Sequence, residues 1–91
     1  MKIGLRIEFK NGDKSDAVAE FEDFIAFEKT RRKSVTRLQS EMELTDLAWL
    51  AWNVEKRHNK TQLPFEPQWV ATVAMVTPID DESTATLPLD S

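Results

Sequence analysis

The 91-residue sequence contains no cysteine, two glycines and a single histidine. Without cysteine there are no disulfide bonds and no thiolate ligands for a metal, which fits a reducing compartment. Two glycines, Gly4 and Gly12, are too few for a familiar phosphate-binding loop. His58 has no His or Cys at ligand spacing, so zinc is not expected and the ring should be a solvated surface group. We therefore expect no catalytic residues, no metal and no cofactor, and a protein that is not an enzyme.

The sequence also lacks a long apolar run and has no basic residue after residue 60. No stretch approaches the roughly 20 apolar residues that cross a bilayer, and the N-terminal residues do not resemble a signal peptide. Residues 1–60 carry all 12 Lys and Arg against 11 Asp and Glu, whereas residues 61–91 carry five acids. A near-neutral body with an acidic end is not typical of nucleic-acid binders, which contact many phosphates. We expect neither a membrane nor nucleic acid as a partner.

The N-terminal residues have the pattern of a β-hairpin. Residues 2–9 alternate apolar and polar side chains, which places four apolar side chains on one face of a strand: Ile3, Leu5, Ile7 and Phe9. Asn11-Gly12 follows directly and is a strong hairpin signal, because both residues tolerate positive φ. A short return strand should run from Asp13 or Lys14 to about Val18.

The middle of the chain has helical periodicity. Apolar residues recur every three to four positions in three segments, which predicts helices near residues 20–33, 45–59 and 65–77. Residues 34–43 are ambiguous between a loop and one weak helical turn. Thr45 should be the N-cap of the second helix, and Pro78 should end the third. Together these elements predict an α+β fold in which the N-terminal β-hairpin packs on about three α-helices.

The C-terminal residues are acidic and rich in turn-forming residues. From Thr77 onward they contain too little apolar surface to offset the entropy of ordering the chain. The sequence therefore predicts a single α+β domain over residues 1–76 and a disordered acidic tail over residues 77–91. Leu87 and Leu89 are candidate docking residues within that tail.

Two tryptophans in the second predicted helix bear most on function. Residues 46–54, DLAWLAWNV, are apolar around most of the helix, so this helix is either central in the fold or partly covered by another chain. Its Leu47–Ala51–Val54 stripe should face the core. Tryptophan is enriched at protein interfaces because it buries a large area and keeps one polar N–H. We predict that the side carrying Trp49 and Trp52 faces partner chains, and the alternative that one or both lie in the core stays open.

A basic run offers a different function. It contains five cations, Lys29, Arg31, Arg32, Lys33 and Arg37, and is the best candidate for a nucleic-acid contact. No aromatic residue interleaves with these cations to stack on bases, and no second basic cluster extends the footprint. A solvated helix end, or a contact with an acidic segment, explains the same charges. A small nucleic-acid-associated regulatory protein using Lys29–Arg37 is the alternative hypothesis.

The order of elements resembles that of the tail assembly chaperones of long-tailed siphophages, particularly those of actinobacterial phages. Three short motifs carry the resemblance: Ala26-Phe27-Glu28, the stretch from Leu50-Ala51-Trp52 to Arg57, and Phe65 to Trp69. The resemblance covers about residues 3–76, and none of its motifs is catalytic. The sequence departs from the family pattern in its heavier basic segment, Arg31-Arg32-Lys33, and in having no glycine at the end of the helix that carries Trp49.

This resemblance implies a non-enzymatic helper of virion morphogenesis. Such proteins bind the tape measure protein, keep its apolar helical surfaces soluble and recruit tail tube subunits in the host cytoplasm, and they are absent from the mature virion. A small domain with a broadly apolar helix fits such a role as a homo-oligomer that holds an amphipathic client helix. The candidate partner-binding residues are Trp49, Trp52, Phe65 and Trp69.

One structural ion pair is also predicted. Glu28 lies on the apolar stripe of the first helix, where an unpaired carboxylate would lose solvation without compensation. We predict that Glu28 pairs with Arg57 or Arg37. The alternative is that Glu28 faces water at the helix end.

Overall fold

The computed structural model describes residues 2–41 and 43–79, and these residues form an α+β fold. A three-stranded antiparallel sheet has β1 in its centre and contains β1 (Ile3–Phe9), β2 (Lys14–Ala19) and β3 (Val73–Ile79). Three helices follow β2 in the chain: α1 (Phe21–Arg31), α2 (Val35–Ser40) and α3 (Leu44–Arg57). Two short helical segments then lead into β3: a π-type turn (Phe65–Trp69) and α4 (Val70–Thr72). The predicted α+β class, with an N-terminal hairpin packed on about three helices, is confirmed.

The N-terminal hairpin forms as predicted. β1 buries Leu5 and Ile7 completely on its helix-facing side, as the alternation of the sequence requires. In the turn, the Asn11 side chain accepts a hydrogen bond from the Asp13 N–H at 2.8 Å. Gly12 adopts a φ of 99°, which glycine tolerates because it has no Cβ. β2 then returns in antiparallel register with β1.

The first three helices lie close to their predicted positions. α1 is slightly shorter than predicted, because Arg32 follows it with a positive φ of 59°. The ambiguous segment 34–43 contains the six-residue α2. Glu43, rather than Thr45, is the N-cap of α3, so this helix begins earlier than predicted.

The prediction of a third helix is wrong beyond residue 72. Residues 73–79 form β3, which pairs with the second edge of β1. Gly4 of β1 permits the close approach, because a Cβ at this position would lie 3.0 Å from Ile79 Cγ1. The apolar pattern of the segment fits either period, and pairing with β1 selects the strand. The predicted domain boundary after residue 76 falls inside β3, and the rest of the predicted disordered tail, residues 80–91, lies outside the described residues.

The hydrophobic core lies between the helix-facing side of the sheet and the helices α1 and α3. The predicted core stripe Leu47–Ala51–Val54 is confirmed, since all three residues are buried there. The remaining buried apolar residues are Leu5, Ile7, Ala17, Ala19, Phe24, Phe27, Trp49, Leu50, Trp69 and Val76. No helix among the described residues is long and apolar enough to cross a membrane.

Candidate partner-binding surface

Six aromatic rings form a continuous chain through the protein. Centroids of neighbouring rings lie 5.7–6.5 Å apart in the order Phe27, Trp49, Trp52, Phe65, Trp69 and Phe9. Most of these contacts are edge-on or tilted, which are arrangements in which aromatic rings attract one another. The chain joins α1, α3, the π-type turn and β1, so these rings hold the sheet and the helices together.

Trp49 and Trp69 are buried in the core, which for Trp49 is the alternative left open by the sequence, and the contact of either residue with a partner stays a prediction. Trp49 is 5% exposed and its ring contacts Phe27 of α1, while Trp69 is 2% exposed. Helical-wheel reasoning placed Trp49 away from the core stripe of α3, but α1 covers that side of the helix. The broadly apolar surface of α3 therefore reflects its central position in the fold.

Trp52 and Phe65 are half-buried and keep part of their rings at the surface. The Trp52 Nε1–H donates a hydrogen bond to the Leu63 carbonyl oxygen at 2.9 Å, and the Lys56 ammonium nitrogen lies 5.0 Å from the indole centroid. These contacts satisfy the polar group of the indole and fix its orientation. Both side chains remain candidates for contact with a partner.

A groove with apolar walls lies between α3 and β3. We refer to it as the β3 groove, and its volume is about 160 Å³. Eight residues line it: Leu44, Ala48, Trp69, Val70, Val73, Ala74, Met75 and Val76. Three of them are large and remain exposed, Leu44 by 65%, Val70 by 38% and Met75 by 44%. Exposed apolar residues clustered around a concave surface are typical of sites that bind partner chains.

Sequence reasoning missed the β3 groove because it treated residues 65–77 as one helix. The groove exists because β3 lies alongside β1 and thereby faces the N-terminal turns of α3. One signal could have revealed it. The β-branched residues Val73, Val76 and Thr77 lie just before Pro78, a composition that suits an edge strand better than the end of a helix.

Arg57 pairs with Asp23 and not, as predicted, with Glu28. The Arg57 Nε and Nη2 donate to the two Asp23 carboxylate oxygens at 3.1 and 2.7 Å. Asp23 is completely buried and also accepts hydrogen bonds from the Asn53 side chain at 2.8 Å and the Glu20 N–H at 2.9 Å. Burial alone raises the pKa of Asp23, but the hydrogen bonds from Arg57, Glu20 and Asn53 bring it below its usual value. An ion pair between a completely buried carboxylate and a partly exposed guanidinium group thus joins α1 to α3.

Glu28 has a different partner from the two predicted ones. Its carboxylate accepts a hydrogen bond from the Val35 N–H at 2.9 Å, and no ion pair with Arg57 or Arg37 occurs in the described part of the chain. Val35 is the first residue of α2, and N–H groups in the first turn of a helix have no partner within it. The exposed Glu28 therefore stabilises the start of α2, and its predicted ion pair is wrong.

Acidic side chains neutralise part of the basic segment Lys29–Arg37. The Lys33 ammonium nitrogen lies 2.7 Å from the Glu43 carboxylate and 3.0 Å from that of the buried Asp46. Arg31 Nε lies 3.7 Å from the other carboxylate oxygen of Asp46. Hydrogen bonds with Glu43 and Asp46 raise the pKa of Lys33. Cations that are already compensated attract phosphates less, so this geometry does not favour the nucleic-acid alternative.

A second, more polar cavity lies between α1 and α3 and has a volume of about 360 Å³. It is lined by Glu22, Asp23, Ala26, Asn53, Lys56 and Arg57, so it belongs largely to the ion-pair network.

Across residues 2–41 and 43–79, no three His, Asp or Glu side chains are grouped closely enough to hold a metal ion. His58 is exposed at the end of α3, which confirms its prediction as a surface residue.

Comparison with known proteins does not assign a function to these surfaces. No family model matches the chain, no curated protein is significantly similar to it, and no solved structure matches it significantly. A functional assignment therefore depends on the motif resemblance and on the geometry of the β3 groove.

Proposed function

We propose that this chain is a non-enzymatic tail assembly chaperone of a siphophage. In this proposal it binds the tape measure protein, keeps the apolar helical surfaces of that client soluble and recruits tail tube subunits. It acts in the host cytoplasm as a homo-oligomer and is absent from the mature virion. The proposal is supported by the resemblance of the motifs around Phe27, Trp52 and Phe65 and by the β3 groove.

The observation that carries the proposal is the exposure of Leu44, Val70 and Met75 around one groove. Single exposed apolar residues are common in soluble proteins, but a cluster of them around a concave surface indicates a contact with another chain. Complete burial of one Leu or Met side chain is worth about 1.5–3 kcal/mol. Covering all three side chains therefore provides a substantial part of the free energy that a protein complex needs.

The shape of this surface suits an amphipathic helix as the client. Such a helix presents apolar side chains at positions i, i+3 or i+4, and i+7, which dock into a hydrophobic groove. Trp69 lines the groove and its ring stacks on Phe65, which in turn contacts Trp52. The half-buried Phe65 and Trp52 thereby extend the apolar surface beyond the groove, so that a long client helix contacts both regions.

Co-expression with the tape measure protein tests the proposal. With the wild-type chain, we expect the tape measure protein to stay in the soluble fraction and to co-purify with the chain. Leu44→Ser should reduce the soluble fraction, because Leu44 is 65% exposed and its replacement leaves the core intact. Phe21→Ser is the matched control, since Phe21 is 70% exposed on α1 and does not line the groove.

Three outcomes would contradict this proposal in different ways. A tape measure protein that aggregates equally with and without the chain would refute the chaperone function. An equal loss of solubility with Leu44→Ser and Phe21→Ser would show that the β3 groove is not the client site. Salt-sensitive DNA binding that is lost when Arg31 and Arg32 are changed to Ala would favour the regulatory alternative instead.

A further inference from the structure

One side of the edge strand β2 is open to a further strand. β1 lies along the other side of β2, and no strand among residues 2–41 and 43–79 covers the open one. All six residues of β2 pair with β1 in one continuous register, and none of them is proline. β2 therefore presents a regular edge to which another strand can hydrogen-bond.

The hydrogen bonds of the hairpin show which backbone groups this edge offers. The Phe9 N–H donates to the Asp13 carbonyl oxygen at 2.9 Å, so these residues form a hydrogen-bonded pair. Such pairs alternate with non-hydrogen-bonded pairs along an antiparallel ladder, so every second residue of β2 turns its N–H and C=O away from β1. These outward-facing residues are Lys14, Asp16 and Val18, and all three are exposed.

A cavity of about 280 Å³ lies between this edge and the last turns of α3. It is lined by Ala17 of β2 on one side and by Val54 and Glu55 of α3 on the other. A strand added to the edge has to place its own helix-facing side chains at this cavity. The helix-facing residues of β2 are Ser15, Ala17 and Ala19, which are all small. A second copy of β2 therefore fits beside the first without crowding α3.

The order of side chains along β2 selects one pairing of two copies. A closed dimer of two identical edges is antiparallel about a two-fold axis, and the axis passes through a residue because residues 14, 16 and 18 carry the free groups. An axis at Ser15 or Val18, or nearer either end, overlaps at most three residues of each strand. An axis at Asp16 overlaps five but places two carboxylates opposite each other, which is destabilising. An axis at Ala17 overlaps five residues and places no like charges opposite each other.

We propose that two copies of this chain pair through β2 about an axis at Ala17, which joins their three-stranded sheets into one sheet of six strands. Asp16 of each copy then exchanges two backbone hydrogen bonds with Val18 of the other. Lys14 lies opposite Glu20 of the second copy, and symmetry produces this pair of opposite charges twice. The Glu20 N–H is already bonded within its own chain, so the backbone pairing ends at Val18.

The charges of β2 favour a second copy over an unrelated strand. Charged side chains on an edge strand hinder unspecific pairing, whereas complementary charges select a partner. In the proposed register Lys14 gains an opposite charge from Glu20 of the second copy. Asp16 lies opposite an uncharged side chain, and Arg6 Nε of its own chain donates to its carboxylate at 2.9 Å.

The dimer leaves both β3 grooves open. β2 occupies the centre of the six-stranded sheet, so one β3 lies at each outer edge, and the groove beside it stays accessible. Two grooves on one dimer bind a long client more tightly than one groove does, because the second contact is intramolecular. This consequence rests on the proposed function, whereas the pairing of β2 does not.

Cysteine cross-linking of the full chain tests the register. The sequence has no cysteine, so Ala17→Cys introduces a single thiol. Across the axis, two Cα atoms of a non-hydrogen-bonded pair lie about 4.5 Å apart, which a disulfide can span. Ala19→Cys is the matched control, because Ala19 is also a buried, helix-facing alanine of β2 but lies opposite Ser15 of the second copy.

Under mild oxidation we expect Ala17→Cys to form a covalent dimer and Ala19→Cys to stay monomeric on a non-reducing gel. Equal cross-linking of the two variants, or none with Ala17→Cys, would overturn the proposal.

Sedimentation equilibrium over a concentration series tests the dimer without a thiol. We expect the wild-type chain to approach twice its mass of 10.5 kDa as its concentration rises. Val18→Pro removes an N–H that points away from β1, so the fold should be retained and the dimer lost. Val18→Thr keeps this N–H and a β-branched side chain, so it should dimerise. A wild-type chain that is monomeric at every concentration, or equal dimerisation of the two variants, would overturn the proposal.

A charge reversal tests the intermolecular ion pairs at an exposed position. Lys14→Glu should raise the dissociation constant of the dimer roughly tenfold, because two attractions become two repulsions. Lys10→Glu changes the net charge equally but lies in the hairpin turn outside β2, so its effect should be smaller. Equal effects of the two reversals would contradict the proposed register.

Client solubility distinguishes failure of this inference from failure of the proposed function. If Ala17→Cys cross-links but the tape measure protein aggregates with the wild-type chain, the chaperone function is wrong and the dimer stands. If the tape measure protein is held soluble by a chain that is monomeric at every concentration, the dimer is wrong and the chaperone function stands. If both are correct, Val18→Pro should keep the tape measure protein soluble only at a higher molar ratio than Val18→Thr does.

Discussion

Replacing Arg57 by methionine should destabilise the protein far more than the same replacement at Arg6. Arg57→Met keeps an aliphatic side chain of similar length but removes the guanidinium group that donates to both carboxylate oxygens of Asp23. Asp23 is completely buried, and its carboxylate would keep only the hydrogen bonds from Asn53 and from the Glu20 N–H. The variant therefore contains a buried carboxylate that lacks its compensating cation.

The expected loss is about 3–5 kcal/mol of unfolding free energy, the range found when one partner of a buried ion pair is removed. A separate estimate agrees with this range, because hydrogen bonds to charged groups contribute about 1.5–3 kcal/mol each and two are lost. The total free energy of unfolding of a native protein is about 5–15 kcal/mol. Arg57→Met should consequently retain only part of the stability of the wild type, or be unfolded at pH 7.

Arg6→Met is the matched control for this change. Arg6 also makes two contacts with one carboxylate, since its Nε and Nη2 lie 2.9 and 3.2 Å from the oxygens of Asp16. The two side chains are 45% and 53% exposed, so water screens their attraction and the loss of the pair should be small. Urea unfolding at pH 7, followed by tryptophan fluorescence and circular dichroism, gives the comparison. Equal losses in the two variants would refute the reasoning.

The pH dependence provides an independent check of the same network. The pKa of Asp23 is lower in the folded protein than in the unfolded chain, where it is about 4. Its stabilising contribution is therefore complete above the unfolded-state pKa and is lost as pH falls through the folded-state pKa. Without Arg57, burial raises the pKa of Asp23, so protonation removes the uncompensated charge. The difference in stability between wild type and Arg57→Met should narrow in acid, and a difference that stays constant would contradict this account.

Three further changes test other contacts. Trp49→Ala should lower the unfolding free energy by about 3–5 kcal/mol in urea titrations, because it leaves a cavity between α1 and α3. A change below about 0.5 kcal/mol is typical of surface positions and would contradict the place of Trp49 in the core. Gly4→Ala should destabilise the folded protein by about 1–3 kcal/mol, since the alanine Cβ would lie 3.0 Å from Ile79 Cγ1 and 3.3 Å from the Ile79 carbonyl oxygen. An unchanged thermal midpoint would argue against the close pairing of β1 and β3. Leu44→Ser should change stability by less than about 0.5 kcal/mol while it reduces client solubility, and unfolding of this variant would show that Leu44 is not a surface residue.

Local signals were sufficient to predict the N-terminal part of the fold. The alternation of residues 2–9 and the Asn11-Gly12 turn depend only on near neighbours in the chain, and so does the helical period of α1 and α3. The structure confirms these elements because local preference and tertiary packing favour the same conformation there. In residues 73–79 the local pattern fits both a helix and a strand. Pairing with β1 therefore decides that these residues form a strand.

The candidate site was harder to predict than the fold. A helical wheel shows that α3 is apolar around most of its surface, but it does not show which other elements cover that surface. α1 covers Trp49 and the sheet side of the fold covers Trp69, so two of the four predicted partner-binding residues are core. The partner of Arg57 was missed for the same reason, because Asp23 meets it through the packing of α1 against α3 and not through any spacing in the sequence.

By itself the sequence determined the α+β class, the hairpin and the core stripe Leu47–Ala51–Val54, because each depends on periodicity within a single segment. Only the tertiary structure decided that residues 73–79 form β3, since this strand is selected by pairing with β1 from the other end of the described chain. The β3 groove follows from that pairing, because it forms where β3 and α3 meet. The surface on which the proposed function depends therefore arises from the packing of β3 against α3, and no single segment of the sequence specifies it.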